Sequence, residues 1–264
     1  MRRSIIRALI LLSLVWAPSA LWAPVAAAQP GIGPRETIDQ QFTTKKPNSP
    51  TGLTFSASFH GAGDENARPP FMRRLVIHPP PGMVYDTSVP DQCGATDLQL
   101  QLQGAAACSP GSRLGGGTIE GLILFPFSHD PVFDHFQHPV DILNNANEQI
   151  ILVNSEGSTV VRAQFQPDGS LDLESPACFP VPPTGCVDDY IVELKSSTGV
   201  APYTRVSGGQ TRSYATTPPT CPKRGYWKTT VDVWWEDGSV DRVVSKEPCA
   251  RRKRRHRHRP RHRL

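Results

Sequence analysis

The sequence has 264 residues, with 27 prolines, 21 glycines, 20% charged side chains and a formal net charge of +4. Because proline and glycine both interrupt helices, this composition excludes a protein built mainly of long helices and favours short strands joined by turns. The length is sufficient for one large β domain or two small ones.

The N-terminal segment has the features of a secretory signal peptide. Three arginines precede an apolar run at 8–22, and a run of small residues ends at Ala28. We therefore predict that residues 1–28 are a signal peptide, cleaved after Ala28. The remaining chain has no apolar segment long enough to span a membrane, so the sequence predicts an extracellular or cell-surface protein without an integral membrane span after cleavage.

The charged residues are unevenly distributed. Residues 29–250 carry 16 basic and 24 acidic side chains, a net charge of −8. The C-terminal segment 250–264 holds nine arginine or lysine residues and no acid. Because like charges repel and nothing in this segment can form a core, we predict a disordered basic tail on an acidic globule.

Between the termini the sequence predicts many short strands. Residues 29–50 are polar and rich in proline, and we predict an extended lead-in there. Apolar residues alternate in Leu53–Phe59, and Phe71–His78 is ended by three prolines, so both segments are predicted strands. Further strands are predicted at 118–125, 149–154, 158–166, 190–195, 226–235 and 239–244.

Other local patterns predict turns or leave a choice. Leu98, Leu100 and Leu102 alternate with glutamines, which fits either a strand or a helical turn. The glycines at 115–117 predict a turn that leads into the next strand. Turns are also predicted at Glu156-Gly157, at Asp168-Gly169-Ser170 before a short edge strand with Leu171 and Leu173, and at Asp237-Gly238.

This spacing of nine or ten strands is typical of an all-β, disulfide-stabilised β-sandwich of the Ig-like type. The sandwich region is predicted at 51–249. It holds either one sandwich or two packed β subdomains divided near 126–148, and the sequence leaves this choice open. Both termini outside it are predicted to be disordered.

All six cysteines follow the predicted cleavage site. An even number in an oxidising compartment favours disulfides over a metal cluster. Pairing of nearest neighbours would join Cys93 to Cys108, Cys178 to Cys186, and Cys221 to Cys249. Six cysteines allow fifteen connectivities, so the sequence alone leaves the pairing open.

Short motifs along the chain combine prolines, glycines and cysteines. They are Phe42-Thr-Thr-Lys-Lys-Pro47 with Pro50-Thr-Gly-Leu53, Leu75-Val-Ile-His-Pro-Pro-Pro-Gly82, Cys93, Cys108-Ser-Pro-Gly-Ser112, Gly115-Gly-Gly-Thr118, Pro219-Thr-Cys-Pro222, Gly225-Tyr-Trp227, Asp237-Gly-Ser239 and Pro248-Cys249. Over residues 42–249 this pattern resembles a family of secreted, β-rich surface proteins of uncharacterised function from high-GC actinobacteria. Ser109-Pro110 departs from the family pattern, which often has proline directly after the second cysteine. The resemblance implies a secreted envelope protein without an assigned reaction, so no catalytic residue carries over.

The segment from His129 to Asp141 is the richest in residue types that bind metals. His129, Asp134, His135 and His138 offer imidazole and carboxylate ligands that suit zinc or copper. Their spacing matches no established motif, and the flanking prolines argue against a helix that would align two histidines. We therefore expect a loop whose histidines face solvent or form hydrogen bonds, and we predict no cofactor.

The sequence contains no motif of a hydrolase or of a nucleotide-binding enzyme. The nucleophile elbow Gly-x-Ser-x-Gly, the zinc motif His-Glu-x-x-His, the Walker loop and the dinucleotide fingerprint are all missing. Glycoside hydrolysis would need a spatial pair of acids, such as Asp188 or Asp189 with a distant glutamate. The sequence therefore favours a protein that is not an enzyme.

Three tryptophans near the C-terminus suggest a sugar-binding surface. On an alternating strand Trp227 and Trp235 point to one side and Trp234 to the other, so at least one belongs to the core. We expect all three to pack under the terminal disulfide, and Trp234 is the candidate for glycan contact if its ring is exposed.

The basic tail is the candidate site for an anionic partner. Its charges suit electrostatic tethering to anionic envelope polymers, with an affinity that falls as salt rises, whereas a solvated tail without a partner is the alternative. No aromatic residue is interleaved with the charges, which argues against specific nucleic-acid binding. The candidate tethering residues are Arg251, Arg252, Lys253, Arg254, Arg255, Arg257 and Arg259.

Together these patterns predict a non-catalytic binding or structural protein of the bacterial envelope. The alternative is a carbohydrate-active module that binds glycans or hydrolyses them. Neither the ligand nor the oligomeric state follows from the sequence.

Overall fold

The computed structural model describes residues 28–124, 133–154, 158–175, 179–181, 185–187 and 190–250. One α-helix, α1, spans Asp97–Gln103 and is followed by two 3-10 turns, Gly104–Ala107 and Pro110–Ser112. The strands are β1 Gly31–Ile32, β2 Glu36–Phe42, β3 Leu53–Phe59, β4 Met72–His78, β5 Val84–Tyr85, β6 Arg113–Leu124, β7 Phe133–Asn145, β8 Glu148–Val153, β9 Thr159–Phe165, β10 Leu171–Glu174, β11 Phe179–Val181, β12 Gly185–Val187, β13 Tyr190–Val200, β14 Thr204–Ser207, β15 Gln210–Ser213, β16 Ala215–Thr216, β17 Tyr226–Trp235 and β18 Val240–Pro248.

Twelve of these strands form one antiparallel sheet in the order β1-β2-β3-β13-β6-β7-β8-β9-β10-β4-β17-β18. The sheet curls until its two ends meet. The backbone N–H of Gln29, which precedes β1, donates to the Lys246 carbonyl of β18 at 2.9 Å, and the Lys246 N–H donates back at 2.9 Å. The Gln40 N–H of β2 also donates to the Ser245 hydroxyl of β18 at 3.1 Å. The sheet is therefore a nearly closed barrel.

The all-β fold is confirmed, and two of the nearest-neighbour disulfides are present. Cys93 bridges to Cys108 and Cys221 to Cys249, with Cα atoms 5.1 and 5.6 Å apart. Cys178 lies outside the described residues, and so does its predicted pairing with Cys186. Because the main strands follow one another around a single curved sheet, the expected Ig-like sandwich is not shown.

The interior of the barrel is packed at two levels. Ile38 and Phe42 lie four residues apart on β2 and belong to different apolar clusters, as do Trp235 and Trp227 on β17. At the first level the Phe59 ring meets the Trp235 ring edge-on at 5.9 Å, and at the second the Phe42 and Trp227 rings do the same at 5.7 Å. Aromatic pairs in this geometry add to the stabilisation from apolar burial.

The helix α1 packs on the outer face of the barrel. Its Leu100 is fully buried against Leu143, Ile150 and Leu152 of β7 and β8, beside the disulfide at Cys93. Thr96 and Gln99 form a reciprocal capping box that satisfies backbone donors at the first turn. Among the described residues, no helix has both the length and the apolar character needed to cross a bilayer.

The helix resolves the choice left open for the leucine repeat. A strand would place Leu98, Leu100 and Leu102 on one face, but Leu98 and Leu102 are 56% and 63% exposed whereas Leu100 is buried. In a helix, residues four apart share a face and the residue midway between them points elsewhere. The strand interpretation is therefore wrong and the helical one is confirmed.

Several expected turns and loops belong to the sheet instead. The glycines at 115–117 lie inside β6, paired with both β7 and β13, and the edge strand at Leu171 lies between β9 and β4 as β10. The lead-in 29–50 contributes β1 and β2. From Phe133 onward the histidine-rich loop is strand β7, which bonds to both β6 and β8.

Candidate functional site

A cavity of about 130 Å³ lies inside the barrel, between the two apolar clusters. Nine of the described strands contribute to its wall, with apolar side chains such as Leu53, Ile119, Ile151, Val153 and Leu173. These side chains point inward and are nevertheless only half-buried. Their accessible surface therefore faces the cavity, which the clusters above and below do not fill.

The size and apolar wall of this cavity fit a small hydrophobic molecule. Engineered apolar cavities of about 150 Å³ stay dry and bind benzene or xenon, because water needs several polar partners to enter. A buried apolar space also forfeits dispersion contacts that a guest molecule would restore. The barrel interior thus has the concave shape and mostly apolar lining that are typical of small-molecule sites.

A few polar groups interrupt the apolar wall. The Gln149 amide of β8 lines the cavity and donates to the Tyr214 hydroxyl at 2.7 Å. Burial raises the pKa of the Tyr214 phenol, so this hydroxyl stays neutral and can donate onward. Gln40, Ser196 and Thr198 also line the wall. These groups can fix the orientation of a guest through hydrogen bonds.

Glu193 of β13 supplies a carboxyl group to the cavity wall. Burial raises the pKa of its carboxyl group, and a hydrogen bond with the Ser196 side chain opposes that effect. The apolar surroundings therefore favour the neutral acid, which can donate one hydrogen bond and accept another. A polar substituent on an apolar guest would find its partner here.

Tyr85 separates this cavity from the surface. It lines the cavity on one side and, with Met83, Asn147 and Phe165, an open surface pocket of about 420 Å³ on the other. Its ring centroid lies 4.9 Å from that of Phe165 and 5.9 Å from that of Tyr214.

The two histidines of the histidine-rich segment that the structure describes lie on opposite faces of β7. The His135 Nε2–H donates to the Glu120 carboxylate at 2.9 Å on the outer face of β7, whereas the His138 ring stacks on the Phe136 ring, with centroids 5.1 Å apart, on the other face. Residues three apart on a strand point to opposite sides. No group of three or more metal-ligand residues occurs in the part of the chain that the structure describes, which includes neither His129 nor the side chain of Asp134.

The tryptophans do not share one environment, so the expectation that all three pack under the terminal disulfide is wrong. Trp227 is buried in the cluster that includes Cys249, but Trp235 is buried in the other cluster, where its Nε1 donates to Asp241 at 2.8 Å. Trp234 points outward and is half-buried. The Arg74 guanidinium lies 4.9 Å from its ring centroid.

A surface groove of about 450 Å³ runs beside Trp234. Its wall includes the carboxylates of Asp172 and Asp232, which pair with Arg74 and Arg242 respectively. The hydrogen bond and the charge of Arg242 hold the pKa of Asp232 below its ordinary value. A glycosidase needs one acid with a raised pKa, so this groove suits contact with a sugar better than hydrolysis.

The remaining sequence predictions fall outside this part of the molecule. The signal peptide 1–28, apart from Ala28, and the tethering residues from Arg251 onward lie outside the described residues.

The cavity itself was not predicted from the sequence, because its polar groups are isolated side chains within strands and form no motif. The available signal was the interruption of apolar alternation at inward positions, as at Gln40 between Ile38 and Phe42.

Comparison of the chain with protein-family models, with curated proteins and with solved structures finds no match.

Proposed function

We propose that this chain is an exported, non-catalytic binding protein of the bacterial envelope that holds a small apolar molecule inside its barrel. The observation that carries the proposal is the apolar cavity between the two packed levels of the interior. The resemblance to secreted actinobacterial surface proteins, the predicted signal peptide and the two disulfides support the proposed location.

The lining residues indicate the chemistry of the ligand. A ring of benzene size fills a cavity of this volume. One hydroxyl or carbonyl group on the ring would reach the hydrogen-bonding groups of Gln149, Tyr214 or Glu193. We therefore propose small phenols and related aromatic molecules as the ligand class.

Calorimetric titration of the mature chain with p-cresol tests this function. We expect binding by the wild type and its loss in Val153→Phe, because the added ring occupies the cavity that Val153 lines. Val206→Phe is the matched control, since Val206 is 71% exposed on β14 and should leave binding unchanged. Equal affinity in both variants, with both still folded by circular dichroism, would place the ligand elsewhere and contradict the proposal.

The groove beside Trp234 supports a second candidate, glycan binding. Trp234 is half-buried and borders an open groove that is also lined by His78 and by the three aspartates Asp168, Asp172 and Asp232. Flat aromatic rings and polar side chains together can hold a sugar. The Arg74 guanidinium already covers part of this ring, so the expected affinity is weak.

A glycan array tests this candidate. We expect that Trp234→Ala abolishes any signal given by the mature protein, whereas Val240→Ala, at the exposed residue paired with Trp234 across the strands, preserves it. A signal that survives Trp234→Ala would exclude this groove as the site.

We also propose that the basic tail from Arg251 to Leu264 tethers the protein to anionic envelope polymers. Nine basic residues without an acid favour this partner through counterion release. Retention on an anionic polymer should decrease when the chain ends at Ala250. Equal retention of both versions would exclude the tether.

A further inference from the structure

A basic surface lies on the folded domain where the tail begins. We define it by Lys45, Lys223, Arg224, Lys228 and Lys246. The Ala250 N–H donates to the Lys45 carbonyl at 2.7 Å, and the Cys249 N–H donates to the Gly225 carbonyl at 2.9 Å. These bonds hold the last described residues against the loops that carry Lys45 and Arg224.

The charges of this surface are not balanced by acids. Across the described residues, seven arginines elsewhere form ion pairs with carboxylates, whereas Arg73, Lys46 and Lys195 do not; the seven are Arg35, Arg74, Arg113, Arg162, Arg205, Arg212 and Arg242. None of the five basic residues forms an ion pair within the described part of the chain. This contrast occurs in a domain whose net charge between 29 and 250 is −8.

Two of the lysines repel each other directly. Lys228 of β17 and Lys246 of β18 are directly paired across the antiparallel ladder. Like charges at such positions destabilise a sheet. The Lys246 ammonium donates to Gln29 Oε1 at 3.2 Å and lies over the Tyr226 ring, whereas an anionic ligand between the two ammonium groups would relieve their repulsion.

The same surface forms a pocket. Arg224, Tyr226 and Lys228 line a space of about 320 Å³ together with Pro80, Pro81 and Pro222. The Lys246 ammonium lies 5.6 Å from the centre of the Tyr226 ring. A hydrogen bond from Arg224, with the charges of Arg224, Lys228 and Lys246, lowers the pKa of the Tyr226 phenol, which reflects the positive potential at this position.

The carboxyl group of Glu247 does not cancel this potential. The positive charge of Lys45 lowers the pKa of Glu247, but Glu247 is buried on the inward side of β18, and burial outweighs that effect and raises its pKa to about 7. Its negative charge is therefore partly lost at neutral pH.

We propose that this basic surface binds a linear polymer with phosphodiester groups and polyol or sugar units. One polymer chain would then contact both the basic tail and this surface of the folded domain. The proposal rests on the tethering part of the proposed function and adds a structured site to it. Tyr226 is the one partly exposed aromatic ring among the residues that line this pocket, and Lys246 lies over one of its faces, whereas Trp227 is buried, so the surface offers no row of rings on which successive bases could stack. A polymer without bases therefore fits this surface better than a nucleic acid does.

The test measures binding of poly(glycerol phosphate) to the mature full-length chain over a range of salt concentrations. Arg224→Gln with Lys228→Gln should weaken binding about tenfold at low salt and reduce the slope of log affinity against log salt by about 2, because two phosphate contacts are lost. Arg73→Gln with Lys195→Gln is the matched control. It removes the same charge from exposed positions on other strands and should change affinity much less.

The outcomes separate this proposal from the tether. If the two double variants weaken the affinity for poly(glycerol phosphate) equally, then only the net charge of the protein determines binding, and the proposed binding surface is wrong. Loss of all binding in a chain that ends at Ala250, with its thermal midpoint unchanged, would also overturn it. Unchanged binding by that shortened chain would exclude the tail as a tether and would support binding by the basic surface. Tighter binding of single-stranded DNA with the same number of phosphates would overturn the polymer class.

Discussion

Two buried glutamates lie where the ends of the barrel meet. Glu36 of β2 is fully buried, and Glu247 of β18 is 5% exposed. Among the described residues, Glu36 Oε1 and Glu247 Oε2 have no hydrogen-bond partner. Burial raises the pKa of each carboxyl group to about 7, with Asp241 adding to the effect at Glu36 and Asp39 adding to it at Glu247. The junction of β2 and β18 is therefore most stable when both glutamates are neutral.

This arrangement predicts a stability that falls as pH rises. The folded state keeps protons that the unfolded chain releases, so the free energy of unfolding decreases between about pH 4.5 and pH 7 and then levels off. For Glu36 the full difference between its ordinary pKa of 4.5 and about 7 corresponds to about 3 kcal/mol. Glu36→Gln should remove this part of the decrease in urea unfolding measured from pH 4.5 to pH 8.

A control variant isolates the effect of burial. Glu65 is exposed, so Glu65→Gln should leave the pH profile as it is in the wild type. A Glu36→Gln profile that retains the wild-type decrease would show that this carboxyl group is not protonated in the folded state.

At the level of elements, strand β6 depends on its glycines. A Cβ atom at Gly117 would overlap the Ser197 carbonyl oxygen, and one at Gly115 would overlap the Gly199 carbonyl oxygen. Because backbone atoms of the neighbouring strand cannot move aside easily, β6 and β13 can approach this closely only without side chains there. The glycine run thus serves strand packing and not a turn.

Gly117→Ala should destabilise the fold by about 1 to 3 kcal/mol, as overpacking does in other interiors. Gly199→Ala on β13 is the matched control, because its Cβ would find ordinary contacts at 3.7 Å. Chemical unfolding of both variants measures the difference. Equal stability of the two would contradict the role of close approach at Gly117.

Local sequence patterns predicted some helices and strands correctly and others incorrectly. Strand β3 and the β17–β18 hairpin follow from alternation and from the Asp237-Gly238 turn, where Gly238 has a φ of 81°. The leucines of α1 fit two periods at once. Strand β7 was missed because Pro139 lacks an N–H and because His135 and His138 precede it, although the Pro139 carbonyl still accepts from the Asn154 N–H at 2.9 Å.

At the level of the whole molecule, the barrel and its cavity arise from contacts between distant parts of the sequence. Gln29 pairs with Lys246, β3 pairs with β13, and β4 pairs with β17. The spacing of strands along the sequence is compatible with a sandwich or a barrel, so it did not distinguish them. The cavity was unpredictable for the same reason, since Gln149, Glu193 and Tyr85 come together only when the sheet closes.

A crystal structure of the mature protein with p-cresol is the most direct test of the account. We predict the ring of the ligand between Ile151 and Leu173, with its hydroxyl within hydrogen-bond distance of Gln149, Tyr214 or Glu193. Density for ordered water throughout the cavity, or p-cresol bound only outside the barrel, would contradict the proposal that the interior is a binding site.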